Sequence, residues 1–252
     1  MTDWDEIKRN DYAVPAGRRV EELVPGLSRA LADPDPLVRD GAAYSVLAAW
    51  ISRGVIDVPR RLALGDEMAE RFADPRIQAR TFAPLVLDML VGAGDFRPGW
   101  VDAFAAWYAA EADLRGYDGT LGWLHAAAHG ADLLGSFGVR PEVDPARMPA
   151  LAAARLLAPT DHVFDQREDD RLAAALARAL TRPDLTGAGA TAWLDPVEAH
   201  VRARGRGPAS ASLSNTLRTL GALYVRVDRA AGGPHRAVLK GRLGAVLDLA
   251  AV

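Results

Sequence analysis

Cysteine is absent from this chain of 252 residues. Disulfides, thiolate metal sites and cysteine nucleophiles are therefore excluded. Lysine is nearly absent, with Lys8 and Lys240 standing against 28 arginines. Together with heavy use of Ala, Gly and Pro, that bias points to GC-rich coding and a bacterial source. Long apolar runs are missing, and no stretch approaches the ~18 residues that a membrane span requires. The start, Met1-Thr-Asp-Trp-Asp-Glu-Ile-Lys-Arg9, is charged where a signal peptide would be apolar. An excess of positive charge is also missing. The net charge of −3 argues against a nucleic-acid binder, and the short basic run Arg202-Ala-Arg204-Gly-Arg206 reads as a solvated loop. The expectation is a soluble, cytoplasmic protein with neither nucleic-acid nor membrane partners. A half-hydrophobic composition supplies ample material for a core.

Apolar residues recur at three- and four-residue spacing almost throughout, and no sustained period-two run interrupts them. Pro and Gly punctuate the helices at short intervals. The run Ala32-Asp-Pro-Asp-Pro-Leu-Val-Arg39-Asp-Gly-Ala-Ala-Tyr44 is a turn leading into a helix, with Asp33 or Asp35 as cap and Pro36 in the first helical position. Ala73-Asp-Pro-Arg-Ile-Gln-Ala-Arg80 echoes it about forty residues later, and Pro84 should kink or break that second helix. The same phase returns at 122–134, 168–180 and 212–225, and companion helices read at 20–31, 61–72, 100–111, 149–157 and 193–204. Helix pairs at this period fit an all-α, HEAT- or armadillo-like α-solenoid. It would have about five pairs, capped by a final helix over 237–250, in a single domain over 1–252. The competing reading is an irregular helical bundle.

In such an array the second helices line the concave face, and the helix carrying His125 is the third of five. His125, His129 and Asp132 stand at i, i+4 and i+7, so they would share one helical stripe. Two imidazoles and a carboxylate with an open position suit zinc or non-haem iron, so a divalent metal on His125, His129 and Asp132 is one reading. The plainer reading is a polar helix face on which Asp132 accepts a hydrogen bond from His129. Trp123 falls on another side of the same helix, toward the core.

The approach to this helix, Glu111 to Gly122, gathers acidic residues, Arg115 and three glycines. Arg115 can pair with Asp113 or Asp118 as a salt-bridged turn, or anchor an anionic ligand group. Beyond it lies His162-Val-Phe-Asp165-Gln-Arg167-Glu168-Asp169-Asp170-Arg171. Acids in a first turn favour the helix dipole, yet three exceed what capping needs, so one of them could reach His125 or His129. The ligand-binding candidates are therefore Arg115, Asp118, Trp123, His125, His129, Asp132, Glu168, Asp170 and Arg171. Arg39 and Asp40 read as a structural pair. Asn215 and Arg218 read as part of a polar concave face, and His200 and His235 as surface residues. No nucleophile elbow, phosphate-binding loop or dinucleotide fingerprint occurs.

Several of these strings carry a resemblance. They are Asp33-Pro-Asp-Pro-Leu-Val-Arg39-Asp, Trp50-Ile-Ser-Arg-Gly54, Asp113-Leu-Arg-Gly-Tyr117, Gly122-Trp-Leu-His125-Ala-Ala-Ala-His129-Gly-Ala-Asp132 and Glu168-Asp-Asp-Arg171-Leu. The chain resembles a bacterial family known as domain of unknown function 2785, over roughly residues 1–180. Members often carry a lysine just before the Gly-Trp pair, where Leu121 stands here. The resemblance implies an all-helical, HEAT-like fold and no particular activity.

Two functions stay open. The favoured one is an interaction module that binds a protein or peptide in its concave face. The alternative is a metal-dependent enzyme or small-ligand binder with its site between the third and fourth repeats. Whether the protein is an enzyme is left undecided by the sequence.

Overall fold

A computed structural model describes residues 3–204, 207–230 and 232–250. The structure is predominantly helical. Its helices are α1 (Trp4–Arg9), α2 (Val20–Ala30), α3 (Ser45–Ser52), α4 (Val58–Arg71), α5 (Ile77–Gly92), α6 (Pro98–Ala110) and α7 (Ala126–Gly138). They continue with α8 (Arg147–Leu157), α9 (Glu168–Ala179), α10 (Gly187–Ala192), α11 (Leu194–Arg202), α12 (Ala211–Arg229) and α13 (Arg236–Asp248). A π-helical segment, Leu37–Tyr44, runs directly into α3. The described residues contain one sheet, the antiparallel pair β1 (Tyr117–Asp118) and β2 (Gly122–Trp123). No described helix is long and apolar enough to cross a membrane. Of the Arg202–Arg206 run, Gly205 and Arg206 lie outside the described residues.

The helices pack in chain-ordered pairs. α3 lies against α5, α5 against α7, α7 against α9 and α9 against α12, while α4 lies against α6, α6 against α8 and α8 against α11. The apolar faces that sequence periodicity assigns fill the space between these rows, with Trp50, Trp100, Phe82, Phe104 and Phe137 fully buried. Glycine permits the closest crossings. A methyl on Gly130 would meet the Tyr108 ring at 2.2 Å, and one on Gly138 would meet the Ala179 methyl at 2.6 Å.

The forty-residue echo has a physical basis. Arg39 Nη1 donates to the Asp33 and Pro34 carbonyls at 2.9 and 3.3 Å. Arg80 Nη1 donates to the equivalent Asp74 and Pro75 carbonyls at 2.7 and 3.0 Å. Each turn also closes on its own aspartate, which accepts the amide two residues on. Asp35 similarly accepts the Leu37 amide, so both candidate caps are used, and Pro36 takes the first helical position, directly before the π-helical segment. Pro84 neither breaks nor ends α5, because that helix is buried on both sides of it and packing outweighs the lost bond.

The third helix differs most from its sequence reading. Residues 122–125 are not helical. Gly122 takes φ +71°, and Asp118 Oδ1 accepts the Thr120 and Leu121 amides, which folds 117–123 into a tight hairpin. Trp123 is consequently 41% exposed, not in the core.

Candidate functional site

The hairpin carries His125 into its unusual position. Leu124 and His125 donate their amides to the Gly116 carbonyl at 2.9 and 3.2 Å, and His125 adopts a left-handed φ of +51° ahead of α7. Non-glycine residues occupy that region at a cost, so surrounding contacts must hold it. One such contact is Arg39, a fully buried arginine that donates to the Leu121 and Trp123 carbonyls from across the fold. It also lies 4.8 Å over the Phe82 ring. Asp40 accepts none of its hydrogen bonds, so Arg39 braces the hairpin and is not half of the expected Arg–Asp pair.

His125 consequently leaves the expected helical stripe. Its Nε2 lies 3.7 Å from Glu168 Oε1, at the start of α9. Glu168 is fully buried, and its other oxygen accepts the Gln166 amide at 2.8 Å. Gly116 makes the space: a methyl there would sit 2.7 Å from Glu168 Oε1. Neither His125 Nε2 nor Glu168 Oε1 has a hydrogen-bond partner among the described residues, and the same holds for the buried His162 Nε2. His162, Asp165 and Glu168 bring one ligand-capable atom each within 4.8 Å of one another, and no other such trio occurs among the described residues. Although 3.7 Å falls within ion-pair range, burial, aided by the Arg171 charge, lowers the His125 imidazole to about 4. Burial pushes the Glu168 carboxyl up. At neutral pH the pair is a neutral imidazole beside a carboxyl group.

The His162 loop is held independently. Buried Asn215 on α12 donates to the His162 carbonyl at 2.9 Å and accepts the Phe164 amide at 2.8 Å, with Phe164 itself buried. Asn215 is therefore a loop clamp and not part of an open concave face. Trp123 stacks beside His125 with ring centroids 4.4 Å apart, and Tyr117 meets Trp123 edge-on at 5.0 Å.

The remaining candidates are placed as follows. His129 is buried, its Nδ1 donates to the Thr81 carbonyl at 2.9 Å, and burial, with Arg171 nearby, lowers it to about 3. Its ring touches that of His125, but Asp132 accepts nothing from it. Asp132 instead pairs with Arg171, whose Nε donates at 3.1 Å across α7 and α9. So His125, His129 and Asp132 do not converge as a ligand set: the helix begins after His125, and an arginine occupies the carboxylate. Arg115 is spent on Asp113 and Asp118, at 2.6 and 2.5 Å, as a salt-bridged turn. Asp170 pairs with exposed Arg167, and Arg218 with Asp169. His200 and His235 are half-buried, each with a buried Nε2 unpartnered among the described residues. The sequence reading offered one of Glu168, Asp169 and Asp170 as a neighbour of His125 or His129, and Glu168 lies beside His125; it passed over His162 and Asp165. These two lie in an irregular loop, where spacing carries no periodic signal.

The model of a family described as "protein of unknown function (DUF2785)" matches residues 68–225, and the chain belongs to that family. The match omits the Asp33–Asp40 and Trp50–Gly54 strings and extends past residue 180, so its span is shifted from the roughly 1–180 suggested by the motifs. No curated protein and no solved structure matches the chain.

Proposed function

We propose that this family member is a HEAT-like α-solenoid of about five helix pairs, a single domain, that binds a small ligand at the seam between its third and fourth pairs. The chain-ordered packing of α3, α5, α7, α9 and α12, and the matching turns at Arg39 and Arg80, support the solenoid. One observation carries the ligand reading. Three buried polar atoms lack hydrogen-bond partners among the described residues: Glu168 Oε1, His125 Nε2 at 3.7 Å from it, and Nε2 of His162, whose ring comes with Asp165 within 4.8 Å of the Glu168 carboxylate. Each such atom costs about 1–3 kcal/mol if nothing satisfies it. A fold that keeps all three in one place has a use for them.

The interaction-module reading has weaker support. A docking face needs contiguous apolar surface, but Leu37, Val58, Val139, Val225 and Val238 are exposed on separate elements. The other exposed large side chains, Tyr117, Trp123 and Val163, belong to the loops that carry the two histidines.

Thermal unfolding with a panel of Zn²⁺, Mn²⁺, inorganic phosphate, citrate and free amino acids tests the reading. At least one probe should raise the Tm of the wild type and leave Glu168→Gln unmoved. At a hundred times Kd the stabilisation is about 2.7 kcal/mol, a shift of several degrees. A wild type indifferent to the whole panel would count against a ligand site.

A further inference from the structure

The geometry points to a divalent transition metal as the ligand, held by His162, Asp165 and Glu168, with His125 beside Glu168 as the fourth side chain. This inference rests on the ligand-site reading above and narrows it to one chemistry. His125 Nε2 and Glu168 Oε1 stand 3.7 Å apart, too far for a hydrogen bond. That separation is close to the ~3.3–3.6 Å between ligand atoms in a tetrahedral site with bonds of about 2.0–2.2 Å. The atoms of His162, Asp165 and Glu168 lie within 4.8 Å of one another, and His125 meets that group through Glu168 Oε1.

The donors decide the metal class. Two imidazoles and one or two carboxylates, with no thiolate in the chain, suit Zn²⁺, Fe²⁺, Mn²⁺ or Co²⁺ and disfavour the oxygen-seeking Ca²⁺ and Mg²⁺. Both imidazoles bind in their neutral form. The framework is held before any metal arrives. Arg39 fixes the hairpin behind His125, Asn215 fixes the His162 loop, and Glu168 is set by the Gln166 amide. Asp165 is exposed, which leaves one side of the cluster open to water or to a second ligand. His200 and His235 also have unpartnered Nε2 atoms, but neither joins a ligand-capable trio among the described residues.

Cobalt and zinc titrations of the chelator-treated full chain test the proposal. Calorimetry with Zn²⁺ should give one ion per chain. Co²⁺ should produce the visible bands of a low-coordinate N/O site and quench Trp123, whose ring lies beside His125. Affinity should fall at least about tenfold in Glu168→Gln and in His162→Gln. It should change less than about twofold in Asp132→Asn, whose carboxylate belongs to Arg171. If a histidine variant fails to fold, Asp165→Asn, altered at an exposed position, gives the same readout with a weaker expected loss. Absence of metal binding by the folded wild type overturns the inference, as does binding that Glu168→Gln leaves intact. If the metals fail while another probe still stabilises the wild type and not Glu168→Gln, the ligand reading survives and the metal does not.

Discussion

His125 Nε2 and Glu168 Oε1 stand 3.7 Å apart across the seam between α7 and α9, both buried and both without a hydrogen-bond partner among the described residues. The contact depends on a left-handed backbone at His125, a missing side chain at Gly116 and the distant Arg39. Each dependence gives an expectation.

Gly116→Ala should weaken ligand binding more than it weakens the fold. The added methyl would lie 2.7 Å from Glu168 Oε1 and 2.6 Å from the Gln166 side chain, so Glu168 must turn away from His125. Overpacking of this kind costs about 1–3 kcal/mol. Tm and Zn²⁺ affinity measured together separate the two effects, and unchanged affinity would contradict the geometry.

Arg39→Met should loosen the hairpin. The substitution leaves the Asp33, Pro34, Leu121 and Trp123 carbonyls without their donor, at a cost of about 3 kcal/mol. Trp123 emission should move to the red as its ring leaves His125, and Tm should fall. An unshifted emission spectrum would show that Arg39 does not brace this segment.

Asp132→Asn should cost little. Asp132 and Arg171 form a partly exposed pair, with about a third of each side chain accessible, and such pairs contribute about 0–1 kcal/mol. If Asp132 were a metal ligand beside His125 and His129, the same change would abolish metal binding. Affinity and Tm of this variant therefore decide between the two arrangements.

Acid should loosen the turns around Asp74 and Glu111. Burial alone would raise the Glu111 carboxyl, but Arg80, the Asp113 amide and the Trp107 indole hold it below its ordinary value. Arg155 faces the same turn through the Glu111 carbonyl. Asp74 is lowered to about 2, chiefly by Arg76. A depressed folded pKa stabilises above the unfolded value and loses that contribution as pH falls through the folded one. Urea midpoints should therefore drop from about pH 4 downward, and Glu111→Gln should show a shallower drop. Equal acid sensitivity in both proteins would contradict this assignment.

Much of the fold was legible because its causes are local. The Asp-Pro turns at Asp33 and Asp74 read as matching turns, and the apolar spacing of α5, α9 and α12 gives helices close to where they form. The hairpin was missed because Gly116, Gly119 and Gly122 look like a flexible lead-in, whereas Asp118 and Arg39 give it one conformation. That error displaced His125 by assigning it a helical stripe. That one of Glu168, Asp169 and Asp170 would reach a histidine was legible because three acids exceed what a first turn needs, but which one was not. His162 was not, since its role depends on the clamp from Asn215, 53 residues away.

The most direct test is a crystal of the Zn²⁺-soaked protein with anomalous data at the zinc edge. The account expects one peak bonded to His162, Asp165 and Glu168 at about 2.0–2.2 Å, with His125 beside it. A map without that peak, with these three side chains joined to ordered water, would contradict it.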